Sequence, residues 1–135
     1  MRALGAGLAY VAAVFALGAV LGGVRALMLE PLVGPVAAVL IELPVILAAA
    51  WIICGKLVAR LGVPARWAPR LGMGAVAFAV LIGAEFALAV ATGQDASGAA
   101  ALYGDSAHRI GLAGQILFAL MPLLRLLGPR RAGGA

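Results

Sequence analysis

Four long apolar runs dominate the pattern of hydrophobic and polar positions along the chain. They cover residues 3–24, 36–57, 71–91 and 110–127, and charged residues are rare inside them. A helix needs about 20 predominantly apolar residues to cross the hydrocarbon core of a bilayer. Glycine, proline and arginine residues separate the runs, as expected where helices end. The pattern predicts an all-α fold in which a single domain forms a membrane-spanning bundle of four transmembrane helices.

The overall composition favours the same interpretation. Of the 135 residues, 65% are hydrophobic and only 11% are charged, and the mean hydropathy is +1.15. Soluble domains carry roughly a quarter charged residues. A water-soluble fold of this composition would therefore expose a mostly apolar surface, and we expect the lipid bilayer to surround the bundle instead.

The first run has a competing interpretation as a secretory signal peptide, with Arg2 as its basic start. The apolar region of a signal peptide is about 7–15 residues long. The uncharged run over residues 3–24 is longer than that. Its length favours a retained transmembrane helix.

The basic residues are distributed unevenly between the two ends of the predicted bundle. Only Arg25 and Arg109 lie at one end, whereas eight Lys and Arg residues lie at the other. Because Lys and Arg accumulate on the cytoplasmic side of membrane proteins, both termini should be cytoplasmic. This bias accounts for the net charge of +5, and without a basic patch interleaved with aromatic residues we expect no nucleic-acid partner. The eight residues are Arg2, Lys56, Arg60, Arg66, Arg70, Arg125, Arg130 and Arg131.

Several polar side chains fall within the predicted spans. At 1.5 Å per residue, Glu42 and Glu85 each lie about 9 Å, and Gln115 about 8 Å, below the outer ends of their helices. A charge at the bilayer centre costs about 2.5–3.5 kcal/mol on insertion scales, so such residues are normally paired, neutralised or used. We therefore expect one polar layer in the outer half of the membrane. Its expected members are Arg25, Glu30, Glu42, Glu85, His108, Arg109 and Gln115.

This layer has two interpretations that the sequence leaves open. In the first, Glu42 and Glu85 form a site that binds a cation or relays protons. In the second, the layer is a buried ion-pair network that holds the helices together, with Arg25 pairing Glu42 or Glu30 and Arg109 pairing Glu85.

Rows of small residues predict close helix packing. Gly18 and Gly22 form a GxxxG pair in the first span, and a longer row of small residues runs along the third span. Small residues at this spacing let helix backbones approach closely. Either row is a candidate seam within the bundle or between the subunits of a homo-oligomer. The row in the third span consists of Ala75, Ala79, Gly83, Ala87 and Ala91.

No constellation of catalytic residues accompanies the polar layer. Ser106 and His108 are near neighbours in a loop, which rarely supplies the geometry of a catalytic triad. The single cysteine, Cys54, is expected to be a small apolar filler. No phosphate loop, dinucleotide fingerprint or Cys/His cluster is present. We therefore predict no catalytic residues, no metal site, no cofactor and no enzymatic activity.

A combination of short motifs resembles one group of membrane proteins. The motifs are Gly22-x-x-Arg25-x-Leu27, Pro31-x-x-Gly34, Glu42-x-Pro44, Trp51 and Phe118-Ala119-Leu120-Met121-Pro122-Leu123-Leu124. Together they resemble a group of small, uncharacterised four-helix inner-membrane proteins of proteobacteria. The resemblance covers most of the chain and implies a bacterial inner membrane, but it implies no activity, substrate or binding residue.

Two other families do not fit. Small multidrug transporters carry a glutamate in the middle of the first span, which is uncharged here. Fluoride channels share a loose likeness to Gly22-Gly23-Val24-Arg25, but their third-span pattern of threonine, serine and phenylalanine is missing here. The leading hypothesis is a small ion- or proton-linked transporter or channel, and the alternative is an accessory or assembly subunit of a larger membrane complex.

Overall fold

The computed structural model describes residues 1–101 and 104–128. Within these ranges all regular structure is helical, and four helical stretches are long and apolar enough to cross a membrane. This confirms the predicted fold class. The elements are α1 (Arg2–Val24), a π-helical turn (Arg25–Leu29), α2 (Glu30–Val33), α3 (Pro35–Arg60), α4 (Trp67–Ala91), α5 (Ala96–Ala101) and α6 (Ser106–Leu124).

The four long helices form a ring in which each packs against two neighbours. Helices α1 and α6 each contact both α3 and α4, and they face one another across the diagonal. The link between α3 and α4, residues 61–66, therefore crosses one end of the bundle. Arg70 anchors this link by donating hydrogen bonds to the backbone carbonyls of Pro64 (3.1 Å) and Val63 (3.2 Å). We call this the basic end, and the end that carries Gly34 and α5 the acidic end.

The tightest packing is in the half of the bundle near the basic end. Tyr10, Cys54 and Met73 are fully buried there. A Cβ atom added at Gly7 would lie 2.7 Å from the Met73 carbonyl oxygen, and one added at Gly74 would overlap the Ala119 carbonyl. Two helix pairs, α1–α4 and α4–α6, thus approach backbone to backbone, and glycine is what allows it.

The first helical stretch is longer than the predicted span of residues 3–24. It continues without a break through the π-helical turn and α2 to Val33, and the chain reverses at Gly34, whose φ is +84°. Pro31, Gly34 and Pro35 between the first two apolar runs predict a turn there. Pro31 is not part of that turn, because the helix continues past it: it is the second residue of α2 and lies directly after the π-helical turn. Only Gly34 has the positive φ that the reversal requires.

The other helix ends depart less from the predicted spans. Helices α4 and α6 each begin four residues before their apolar runs, at Trp67 and Ser106, and α6 ends at Leu124, followed by a turn over residues 125–127. In the link between the third and fourth apolar runs, the Ala-rich sequence over residues 99–102 favours a short helix, and α5 covers residues 96–101 there; Leu102 lies outside the described residues. Arg130 and Arg131 also lie outside them.

Candidate binding site at the acidic end

All five acidic residues of the chain lie in the half of the bundle at the acidic end. Two basic residues, Arg25 and Arg109, share that end. The other described basic residues belong to the basic end. Acidic and basic residues are therefore separated along the bundle axis, and the residues expected in the polar layer lie toward the acidic end. The acidic residues are Glu30, Glu42, Glu85, Asp95 and Asp105.

Arg25 pairs with two carboxylates. Its Nη1 lies 3.0 Å from Glu42 Oε2 on α3, and its Nε lies 3.2 Å from Glu30 Oε1 on α2. The Glu42 side chain is only 11% exposed, whereas that of Glu30 is 34% exposed. The pairings that the sequence left as alternatives for Arg25 thus occur together.

The π-helical turn explains how one arginine reaches both partners. Residues five apart in an α-helix point about 140° away from each other, at about 100° per residue. Here the Glu30 backbone N–H donates to the Arg25 carbonyl, five residues earlier, so one wider turn brings the two residues onto the same face. The turn is positioned directly before Pro31, whose ring would crowd the carbonyl of a regular α-helical turn.

Glu85 has a neutral partner. The amide Nε2 of Gln115 on α6 donates a 2.7 Å hydrogen bond to Glu85 Oε1 on α4. Among the described residues, no Lys, Arg or His lies within 4 Å of the Glu85 carboxylate. The expected pair between Arg109 and Glu85 is therefore not formed, because Arg109 is exposed at the surface and Gln115 is the partner instead.

His108 lies at the surface of the acidic end. Its Nδ1 is 3.3 Å from Asp105 Oδ2, and both side chains are about half exposed. The hydrogen bond from His108 holds the pKa of the Asp105 carboxyl below its usual range. Asp95 lies directly before α5, and hydrogen bonds from the Gly98 backbone N–H and the Ser97 hydroxyl of α5 likewise lower the pKa of its carboxyl.

A cavity of about 450 Å³ lies between the four helices, and we call it the bundle cavity. Its walls are mostly apolar, with Phe15, Leu43 and Leu81 among them, and its polar groups come from four helical segments. A second cavity of about 570 Å³, the entrance recess, shares several of these polar residues and extends to Asp105 and His108 at the surface. The polar residues that line the bundle cavity are Arg25, Glu42, Glu85 and Gln115.

Phe118 closes the bundle cavity on the side of the basic end. Its ring stacks on that of Tyr10, with centroids 4.3 Å apart. The Tyr10 hydroxyl donates a 3.1 Å hydrogen bond to the Phe118 carbonyl. Sequence reasoning did not find this contact. The available signal was Pro122, which has no N–H to offer the carbonyl four residues earlier, and that carbonyl belongs to Phe118.

The two rows of small residues have different surroundings. Gly18 and Gly22 line the bundle cavity, so they create space inside the bundle. The row on α4 faces outward: Ala75, Ala79 and Gly83 are exposed, and a Cβ atom at Gly83 would meet nothing within 4 Å. The row itself is therefore not a seam within the bundle; Gly74, on a different face of α4, makes the close contact with α6.

Trp51 and Cys54 lie in the half of the bundle at the basic end. The Arg125 guanidinium stacks 4.3 Å from the Trp51 ring centre and also donates to the Trp51 carbonyl. It packs against Gly55, where a side chain would collide with it. Cys54 is fully buried, as a small apolar filler would be.

The chain matches no family model, no curated protein and no solved structure. The resemblance to small proteobacterial inner-membrane proteins therefore stays a prediction. Over the described ranges, no three His, Cys, Asp or Glu side chains gather into a group that could hold a metal ion. Fold and composition define a multi-pass membrane protein with four candidate spanning helices, and the cavity between these helices shares its polar lining residues Arg25, Glu85 and Gln115 with the entrance recess.

Proposed function

We propose that this chain is a small ion- or proton-linked transporter or channel of the bacterial inner membrane, with its acidic end facing outward and both termini cytoplasmic. The observation that carries the proposal is the position of Glu85 in a cavity, with a neutral amide as its hydrogen-bond partner. The uneven distribution of basic residues supports the orientation.

The two carboxylates that line the bundle cavity have different roles in this proposal. Glu42 is held by Arg25, and a paired charge in a low-dielectric site is costly to separate. Among the described residues, Glu85 has only the Gln115 amide as a hydrogen-bond partner, and a neutral amide cannot neutralise its charge. A cation or proton entering the bundle cavity therefore gains most by binding at Glu85, and Glu42 with Arg25 forms the fixed wall beside it.

The entrance recess supports a path from the acidic end to Glu85. Glu85, Gln115 and Arg25 line both the recess and the bundle cavity. Tyr10 and Phe118 block the opposite direction. In this proposal the structure represents an outward-open arrangement, and passage across the membrane requires movement of the Tyr10–Phe118 contact.

Ion flux in liposomes containing the purified protein tests this function. A pH-sensitive dye trapped inside reports proton flux driven by a K⁺ gradient with valinomycin, and Na⁺ and K⁺ fluxes are measured in parallel. We expect Glu85→Gln to lower the flux by about tenfold or more. Asp95→Asn removes the same charge from an exposed link outside both cavities and should leave the flux near the wild-type value. Absence of flux from folded wild-type protein would contradict the proposal.

A second candidate function is an accessory or assembly subunit of a larger membrane complex. The outward row of small residues on α4 favours it, because such rows usually meet another helix. Gly83→Leu should then release a co-purifying partner, or a second copy of this chain. Gly5→Leu is the matched control, since Gly5 is also exposed with open space around it. Equal assembly in both variants would rule out this use of the α4 face.

A further inference from the structure

We infer that the bundle cavity binds an organic monocation with an apolar body, whose ammonium group pairs with Glu85. This inference rests on the proposed function and names the class of substrate. It follows from three properties of the cavity: its apolar walls, the position of its polar groups and the balance of its charges.

The size and walls of the cavity suit an organic molecule. Its volume of about 450 Å³ lies within the range of roughly 300–1,000 Å³ that is usual for small-molecule sites. Phe15, Ile46 and Phe118 are among the apolar residues that line it. Hydrated inorganic ions gain nothing from such walls, and hard cations such as Ca²⁺ need six to eight oxygen ligands. An apolar body of matching size would fill the space instead.

The polar groups of the cavity lie toward its acidic end. Glu85 and Gln115 belong to both the bundle cavity and the entrance recess, whereas Phe118 belongs to the bundle cavity alone. A ligand with one polar head and one apolar body would therefore bind in a single direction. Its head would lie near Glu85, and its body would extend toward Phe118.

The charges select a cation over an anion. Arg25, the cation in the cavity lining, already contacts carboxylates on both sides, Glu42 at 3.0 Å and Glu30 at 3.2 Å. An anion would have to displace one of them. The Glu85 carboxylate accepts a hydrogen bond from the neutral amide of Gln115, and among the described residues no cation contacts it. An ammonium group bound beside Glu85 would therefore supply the missing opposite charge. Aromatic walls add attraction for a cation that lies over a ring face.

Binding of benzyltriethylammonium to the full chain in lipid nanodiscs, measured by calorimetry, tests this inference. Benzylsulfonate, an aromatic anion, is the comparison ligand. We expect the cation to bind and the anion not to bind. Glu85→Gln should weaken cation binding by about tenfold or more, and Asp95→Asn, which removes an equal charge in the exposed link, should leave it unchanged.

A second pair of variants tests the cavity without altering charge. Gly22 lines the bundle cavity, and its neighbour Gly23 is exposed outside it; both have open space where a Cβ atom would lie. Gly22→Leu should fill the cavity and abolish cation binding. Gly23→Leu should preserve binding and folding, so the comparison remains valid even if Glu85→Gln does not fold.

Three outcomes would overturn the inference. The first is no cation binding by folded wild-type protein, and the second is undiminished binding by folded Glu85→Gln or by folded Gly22→Leu. The third is a co-purifying lipid that mass spectrometry finds in wild type and Gly23→Leu but not in Gly22→Leu, since an acyl chain would then occupy the cavity. If the wild-type protein shows Glu85-dependent proton or metal-ion flux but does not bind the organic cation, the substrate class alone is refuted. If it shows neither ion flux nor binding of the organic cation, the proposed function is refuted as well.

Discussion

The hydroxyl group of Tyr10 on α1 donates a hydrogen bond to the backbone carbonyl of Phe118 on α6, 3.1 Å away. A regular helix would use that carbonyl for the N–H of residue 122, but residue 122 is a proline. The tyrosine thus satisfies an acceptor that Pro122 leaves free, and it does so across the diagonal of the helix ring. The same contact, with the stacked rings, closes the bundle cavity toward the basic end.

This relationship predicts that Tyr10 and Pro122 are energetically coupled. Tyr10→Phe should lower the free energy of unfolding by about 1 kcal/mol, the usual net contribution of a buried hydrogen bond. In a Pro122→Ala background the residue 122 N–H can supply the Phe118 carbonyl, so the same change should cost clearly less. Unfolding of the four proteins in mixed detergent micelles gives the coupling, and equal costs in both backgrounds would contradict the assignment.

Gly74 and Gly72 should respond differently to alanine. A Cβ atom at Gly74 would overlap the Ala119 carbonyl, whereas one at Gly72 would meet nothing within 4 Å. Overpacking of this kind costs about 1–3 kcal/mol, so Gly74→Ala should destabilise the bundle by that amount. Gly72→Ala, on the same helix, should be neutral or slightly stabilising. The same unfolding assay checks both, and similar stabilities would disprove the close α4–α6 contact.

The two ion pairs of Arg25 should differ in strength. Glu42 is largely buried, so a double-mutant cycle with Arg25→Gln and Glu42→Gln should give a coupling of about 1–2 kcal/mol. Glu30 is about one-third exposed, and the corresponding cycle should give about 0.5 kcal/mol or less because solvent screens the pair. Equal couplings would show that the depth of the pair has no influence on its strength.

Titration at the acidic end should distinguish Asp105 from Asp95. The pKa of the Asp105 carboxyl should lie below its ordinary value of 3.8, chiefly because of the hydrogen bond from His108. A carboxyl group with a lowered pKa in the folded state stabilises the fold at every pH above its ordinary, unfolded-state pKa. This contribution disappears as the pH falls through the lowered pKa. The effect is thus confined to the acid range below about pH 4.

Carbon-detected NMR of the aspartate carboxyl groups measures both values. His108→Ala should raise the pKa of Asp105 toward 3.8. It should leave that of Asp95 lowered, because Gly98 and Ser97 supply its hydrogen bonds. A pKa of Asp105 that does not respond to His108→Ala would refute the contact.

The sequence predicts the fold class and the polar layer because both depend on hydrophobicity along single helices. Four apolar runs must become spanning helices in a bilayer, and helical rise alone places Glu42 and Glu85 at similar depth. The pairing of Arg25 with Glu42 was among the alternatives that depth allows. Local pattern and topology were sufficient for these features.

Features that depend on which helix faces meet were not predictable in this way. Gln115 became the partner of Glu85 because α4 and α6 are neighbours in the ring and Arg109 lies beyond the packed face. The π-helical turn shifts the register of the first helix after Arg25, which period-based reasoning cannot anticipate. The outward direction of the α4 row likewise follows from Gly74 facing α6 instead.

The proposed function requires that water from the outside reaches the bundle cavity. Labelling of introduced cysteines with a charged, membrane-impermeant thiol reagent, added outside intact cells, tests it most directly in a Cys54→Ala background. Gly22→Cys lies in the cavity, and Ala16→Cys lies on the exposed lipid-facing side of the same helix. We expect rapid labelling of Gly22→Cys and little labelling of Ala16→Cys, whereas equally slow labelling of both would show that outside water does not reach the cavity.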